Sequence, residues 1–199
     1  TASPGFGSAA PGEFSQTISA KWNAPVYEES MIYRINPDIV INNRGVCISD
    51  DSPVMEHYKI LRTRIQHQAK SRKINTLMVT SPNRNEGKTV TCINMGFVFA
   101  REFSQTVLMV DCDFYGQDIH RYLGIQSEYS LIDYFLHGIP LNRLIIWPGI
   151  DKLTLISGNN TVKNATELLS SEMMQMLINE MGSRYEDRYV FFDVPPVLE

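Results

Sequence analysis

"SPNRNEGKTVT", residues 81–91, closes on the Gly87-Lys88-Thr89 of a phosphate-binding loop, yet places Pro82 where such loops favour glycine. The tripeptide alone is a weak signal, and its flanks decide how it reads. Before it lies a short apolar run, NTLMVT (75–80). After it comes KTVTCINMGFVFARE (88–102), with the spacing of a helix. Strand, loop and helix in that order are the setting in which Gly-Lys-Thr holds phosphate, because backbone N–H groups and the positive helix end face the anion. Asn83, Arg84, Asn85, Glu86, Gly87, Lys88, Thr89 and Val90 are therefore the expected nucleotide-binding residues. Lys88 is expected to reach the β and γ phosphates, and the Thr89 hydroxyl to hold Mg²⁺. Asn85 stands where glycine is often needed, but asparagine tolerates left-handed backbone. Pro82 has no N–H, which removes one contact from the cradle.

Two more apolar runs end in carboxylates. TVLMVD (106–111) reads as a strand and leads to Asp111 and Asp113, two residues apart. RYVFFD (188–193) reads as a strand ending at Asp193, and Pro195 and Pro196 then stop the ladder. Such carboxylates offer hard oxygen ligands for Mg²⁺ or a base for a hydroxyl nucleophile. Between these runs the pattern predicts further elements. A helix starts at a Ser52 cap and Pro53, with Val54, Tyr58, Leu61 and Ile65 as its apolar stripe. A short helix covers 130–138, a strand 152–157, and one long helix 164–185 with an Asn164–Glu167 capping box. Alternating strands and helices imply an α/β fold with a doubly wound, mostly parallel sheet covered on both faces. Ligands of such sheets sit outside the carboxyl ends of the strands, so loop 82–89, Asp111, Asp113 and Asp193 are expected to converge.

The bulk composition narrows the partners. The chain has 199 residues, 43% apolar and 20% charged, with a net charge of −4, so no overall basic footprint points to nucleic acid. Its three cysteines, Cys47, Cys92 and Cys112, form no CxxC pair, and Cys92 and Cys112, in apolar stretches, read as buried thiols of a reducing cytoplasm. No apolar run approaches the roughly 18 residues of a membrane span. Residues 1–14 read as a flexible linker or an expression remnant, 15–51 as an aperiodic arm that wraps over something else, and 52–199 as the domain proper. Tyr27 and Tyr33 in the arm read as packing anchors, and Met173, Met174, Met176 and Met181 as core filler. Segment 55–73 carries six basic residues against Glu56 alone, which suggests a partner surface.

In combination, these motifs resemble the cytoplasmic kinase domain of the bacterial tyrosine autokinases of exopolysaccharide and capsule export, and most of all the type found with exosortase-linked loci. NEGKT is similar to their Walker A ending, LMVDCD to their Walker A′, and VFFDVPP to their Walker B. EHYKILRTR is similar to their ring-assembly helix, which implies oligomerisation roles for Glu56, Lys59 and Arg62. The resemblance runs from about Trp22 to Glu199 and implies a P-loop NTPase fold, C-terminally incomplete. It further implies ATP-dependent autophosphorylation on tyrosine, with catalytic roles for Lys88, Asp111 and Asp113 and metal-binding roles for Thr89, Asp113 and Asp193. Of the two aspartates, Asp111 is the one expected to accept the tyrosine hydroxyl proton. The implied cofactors are ATP and Mg²⁺, and the implied partner is a membrane-embedded polysaccharide co-polymerase that holds the kinase at the inner face of the membrane. Some positions depart from the family. Tyr115 replaces the Walker A′ arginine, Gly116-Gln117 replace Arg-Pro, and the tyrosine-rich tail has no counterpart here. Those departures keep open a second reading, a catalytically weak nucleotide-binding scaffold of the export machinery. A partitioning-type ATPase fits less well, because Asn83 stands where those proteins carry an extra lysine.

Overall fold

The computed structural model describes residues 31–150, 152–158, 160–162, 164–185 and 187–198. The linker 1–14 and the start of the arm, with Trp22 and Tyr27, lie outside the described residues. The strands are β1 (Met31–Ile32), β2 (Thr76–Val79), β3 (Thr106–Asp111), β4 (Ile146–Trp147), β5 (Leu153–Ile156) and β6 (Arg188–Asp193). The helices are α1 (Pro37–Asn42), α2 (Met55–Arg72), α3 (Lys88–Ala100), α4 (Ile119–Leu123), α5 (Leu131–His137), α6 (Ala165–Leu169) and α7 (Glu172–Ser183).

One six-stranded sheet has the order β1-β4-β5-β3-β6-β2, and every pairing is parallel except β4 with β5. Alternation along the central strands divides the interior in two. Val107, Met109 and Phe191 face a cluster with α3 and α1, whereas Leu108, Val110, Val190 and Phe192 face a cluster with α5 and α7. Both faces are thus apolar, which is why TVLMVD and RYVFFD read as unbroken apolar runs. Phe99 packs edge-on against Phe191 and Tyr189, with ring centroids 5.0 Å apart in each pair. α3 lies so close to the sheet that a Cβ at Gly96 would stand 2.5 Å from the Met109 sulfur.

Several elements differ from the sequence expectation. β2 is the outermost strand rather than a buried one, with Met78 66% exposed, because β6 inserts between β2 and β3. α2 turns Met55, Tyr58, Ile65 and Ala69 inward, while Val54 and Leu61 of the expected stripe are exposed. Arg62 sits in the middle of that inward face and so hides its period. Its Nη1 donates to the Val98 carbonyl at 2.8 Å, and its Nη2 lies 2.5 Å from the Glu102 carboxylate. The long helix expected at 164–185 is two helices. Ser170 and Ser171 bond back to the carbonyls of Thr166 and Leu168, and Ser171 then caps α7 by accepting from the Met174 N–H at 3.1 Å. Asn164 makes no side-chain cap bond. Met174 and Met181 enter the core, whereas Met176 is 71% exposed. Residues 31–50 pack on their own domain, burying Val40 and Cys47 against α3 and pairing β1 with β4.

Phe191→Ala removes an aromatic ring from the centre of the larger cluster. It is expected to cost about 3–5 kcal/mol in urea unfolding; a loss below about 1 kcal/mol would show that the cavity collapses. Arg62→Ala is expected to lower the melting temperature of the monomer, since both its partners lie in its own chain.

Candidate nucleotide site

Three strand ends carry the site. In the ladder Val79 pairs with Asp193, and Asp193 pairs with Asp111, so the carboxylates of β6 and β3 stand side by side at the carboxyl edge. The Cys112 N–H donates to the Asp193 carbonyl at 2.8 Å, which carries the register one residue beyond β3. The loop after β2 bends through Asn85 (φ 62°) and Gly87 (φ 90°), both left-handed, as expected of asparagine and glycine there. Glu86 braces it from within by accepting from the Asn83 N–H at 3.1 Å and its side-chain amide at 2.9 Å, which hold the Glu86 carboxyl below its ordinary pKa. Pro82 spends no donor in the cradle, and its carbonyl accepts from the Leu198 N–H at 3.2 Å.

α3 begins at Lys88 and aims that side chain back across the strand ends. Its Nζ lies 2.5 Å from Asp113 Oδ2, 3.7 Å from Asp193 Oδ1 and 3.5 Å from Thr89 Oγ1. Burial opposes the ammonium charge, but the carboxylates of Asp193, Asp113 and Asp111 outweigh it and raise the pKa of Lys88. Thr89 Oγ1 donates to Asp193 Oδ2 at 2.7 Å, and Asp193 Oδ1, fully buried, accepts no hydrogen bond. Burial raises Asp193 to about 6 against the pull of Lys88 and the Thr89 hydroxyl.

Asp111 and Asp113 differ sharply in their surroundings. Asp113 lines an open cleft of about 510 Å³ together with Arg84, Asn85, Gly87, Lys88, Thr89 and Val90. Asp111 is 1% exposed, and its two oxygens accept from the N–H groups of Asp113 and Ile119 and from the Ser157 hydroxyl, at 3.2, 3.0 and 3.0 Å. Burial and the neighbouring Asp193 push it up to about 8 in spite of those bonds. Asp111, expected to take the substrate's proton, thus lies away from the cleft. It is an internal brace that ties β3 to α4 and to the end of β5, and Asp113 is the carboxylate at the cleft.

Asn83 and Glu86 support the loop without lining the cleft, and Asp193 lies behind Lys88 and Thr89. The cleft is also lined by Tyr115, Gly116, Asp118, Tyr122, Pro195 and Pro196, which motif spacing did not single out as binding residues. Tyr115 and Pro195-Pro196 were visible as a departure and a strand stop, but their position on the cleft depends on how the loops after β3 and β6 fold back. Of the expected oligomerisation residues, Arg62 is occupied within its own chain, whereas Glu56 and Lys59 pair with each other at 2.6 Å on the exposed face of α2.

A mostly parallel sheet with a Gly-Lys-Thr loop between its edge strand and its central helix, facing acidic strand ends, is the arrangement of the P-loop NTPase fold. No family model matches the chain. It is 29% identical over 143 residues to the tyrosine-protein kinase YwqD of Bacillus subtilis (strain 168), which covers 72% of this chain and 59% of YwqD. It is 30% identical over 144 residues to the tyrosine-protein kinase wzc of Salmonella typhi, covering 72% of this chain and 20% of that protein. The kinase domain of the Escherichia coli tyrosine kinase ETK superposes with a TM-score of 0.70 at 24% identity, over 88% of this chain and 71% of that domain. The chain is thus a relative of the bacterial tyrosine-protein kinases, and it spans less than two thirds of these curated proteins.

A carboxyl whose pKa is raised by folding holds its proton more tightly in the native state, so it favours the fold at low pH and that benefit fades as pH rises. With Asp193 near 6 and Asp111 near 8, the nucleotide-free protein is expected to lose stability steadily from about pH 4 to about pH 8 in thermal melts. Asp111→Asn should flatten the upper half of that slope; an unchanged slope would mean that Asp111 is ionised throughout.

Proposed function

We propose that this chain is the nucleotide-binding and catalytic part of an ATP-dependent protein-tyrosine autokinase that regulates exopolysaccharide polymerisation or export. The observation that carries the reading is the partnership of Lys88, a cation set in the cleft wall, with two carboxylates at strand ends. The kinship with tyrosine-protein kinases supplies the reaction class.

The residues fit Mg²⁺. A threonine hydroxyl and a carboxylate sit 2.7 Å apart, and the second carboxylate oxygen is buried without a hydrogen bond. Mg²⁺ takes one or two such protein oxygens and leaves its other positions to water and phosphates. Thr89 and Asp193 would hold it, with Asp113 within reach of the same cluster through Lys88. When bound, the ion neutralises charge across the β and γ phosphates.

The chain's own residues do the rest. Loop 82–89 cradles the phosphates on backbone N–H groups at the amino end of α3. Lys88 exchanges Asp113 for the β and γ oxygens, a cation positioned where charge develops during transfer. That exchange frees the Asp113 carboxylate at the cleft wall, where it accepts the proton of the attacking phenol. Asp111 takes no part in the transfer and keeps Asp113 in place through its N–H. The partner is a membrane-embedded polysaccharide co-polymerase that activates the kinase and keeps it at the cytoplasmic face. Among the described residues no helix is long and apolar enough to cross a membrane. Glu56 and Lys59, exposed on α2, are the residues available for assembly with a second copy.

Incubation with Mg·ATP, with and without the cytoplasmic tail of the co-polymerase, followed by phosphotyrosine detection, tests this reading. Lys88→Ala and Asp113→Asn are each expected to cut the rate by on the order of 10²-fold or more. Tight nucleotide binding with no phosphotyrosine in either condition would leave the chain a nucleotide-dependent scaffold.

A further inference from the structure

Gln117 closes the turn that follows Asp113, and its side-chain amide bonds to nothing. The residue is 1% exposed, and neither the amide nitrogen nor the amide oxygen has a hydrogen-bond partner. No other described side chain leaves two buried polar atoms in that state. Asp193 Oδ1, another such atom at the site, has the proposed Mg²⁺ as its partner. The backbone of Gln117 is strained as well. Its φ is 40°, a left-handed value that crowds the Cβ, and it lacks the short side chain with which asparagine eases that conformation. The other described residues of this kind apart from glycine, Arg44, Lys73, Asn85 and Lys152, are exposed or half-buried. A buried amide without bonds costs stability that an apolar chain of the same length would not. Such an amide and a strained backbone on one residue are costs that folds carry at functional sites.

The position of Gln117 in its loop indicates which function. Gly116 and Asp118, on either side of it, line the nucleotide cleft, although Gln117 itself does not. The Gln117 N–H donates to the Asp113 carbonyl at 2.7 Å. The Gly116 N–H donates to the same carbonyl at 2.9 Å and to Asp113 Oδ1 at 3.2 Å. The other oxygen of that carboxylate, Oδ2, is the partner of Lys88 at 2.5 Å. One turn and one carboxylate thus separate Gln117 from the cation of the phosphate site. Gly116, immediately before it, can take backbone angles closed to other residues.

We propose that Gln117 is a stowed ligand for the γ phosphate of the nucleotide. The proposal rests on the nucleotide reading above and adds a neutral donor to it. Without nucleotide the amide is held inside the loop. When Lys88 leaves Asp113 for the phosphates, the hold of that carboxylate on the Gly116 N–H slackens. The backbone of Gln117 then leaves the left-handed region, and its amide turns into the cleft to donate to a γ oxygen. There the amide gains the hydrogen bond it lacks when stowed, and a charged acceptor makes that bond a strong one. Because the amide carries no charge, it holds phosphate without disturbing the balance between Lys88 and the carboxylates. A diphosphate offers no γ oxygen and leaves the residue stowed, so the loop distinguishes the triphosphate from its product.

Two measurements on the full 199-residue chain test this. In the first, Gln117→Met keeps the length of the side chain and removes the amide. Without nucleotide the variant is expected to melt at a higher temperature than wild type. It is expected to bind the Mg²⁺ complex of a β,γ-imido ATP analogue about tenfold more weakly, or worse, and to bind Mg·ADP as wild type does. Unchanged affinity for the analogue would overturn the proposal and leave the nucleotide reading standing. So would an equal loss for Mg·ADP, which marks a role in shaping the cleft, and so would a lower melting temperature, which marks an amide already bonded in the fold. No binding of either nucleotide to wild type would overturn both readings. The second measurement observes the wild-type side chain by NMR, with its NH₂ pair assigned by correlation to its own backbone. That pair is expected to exchange slowly with solvent in the nucleotide-free protein, and to shift on addition of the Mg²⁺ complex of the analogue but not of Mg·ADP. A pair that stays in place with the analogue bound, or moves equally with Mg·ADP, overturns the proposal.

Discussion

The ion pair of Lys88 with Asp113 and Asp193 is the interaction on which the site depends. Two carboxylates, Asp111 and Asp193, are buried side by side by the register of β3 and β6. Burial without a counter-charge would drive both to their neutral forms. One ammonium at the start of α3, threaded back over the strand ends, offsets that cost and fixes how the helix enters its groove. Burial still raises the pKa of both carboxyls, with Lys88 lowering that of Asp193 in opposition.

The rest of the fold reads as support for this cluster. The apolar faces of β3 and β6 hold the register, with Phe99, Phe191 and Tyr189 interlocked on one side and the α7 cluster on the other. Asp111 joins β3, α4 and the end of β5 through three hydrogen bonds, so the loop that carries Asp113 and Tyr115 starts from a fixed base. Arg62 ties α2 to the carboxyl end of α3 through Val98 and Glu102, which holds α3 in place from its far end. The buried and the cleft-facing carboxylate are thus neighbours in sequence, one held by hydrogen bonds and the other by Lys88.

The long, strongly patterned elements were legible in the sequence because burial on both faces leaves an unbroken apolar run. TVLMVD and RYVFFD are β3 and β6 residue for residue. The elements that were misread are those whose state is set by partners distant in sequence. NTLMVT has the composition of an inner strand but is the sheet edge, since strand order is not written in local pattern. The inward face of α2 was hidden by Arg62, a charge that is paired only because α3 lies opposite. Ser170 and Ser171 broke a helix whose periodicity runs on across them.

For the site itself, the sequence by itself determined which groups are available: a Gly-Lys-Thr loop between strand and helix, and aspartates at the ends of apolar strands. Those depend on local conformation and short spacing, which a chain carries in its own order of residues. Only the tertiary structure decided which carboxylate meets solvent, that Asp111 is a brace while Asp113 faces the cleft, and that Tyr115 lines the same cleft as the phosphate loop. Exposure depends on what packs above a residue, here α4, Ser157 and the turn after Asp113, and no pattern two residues long contains it.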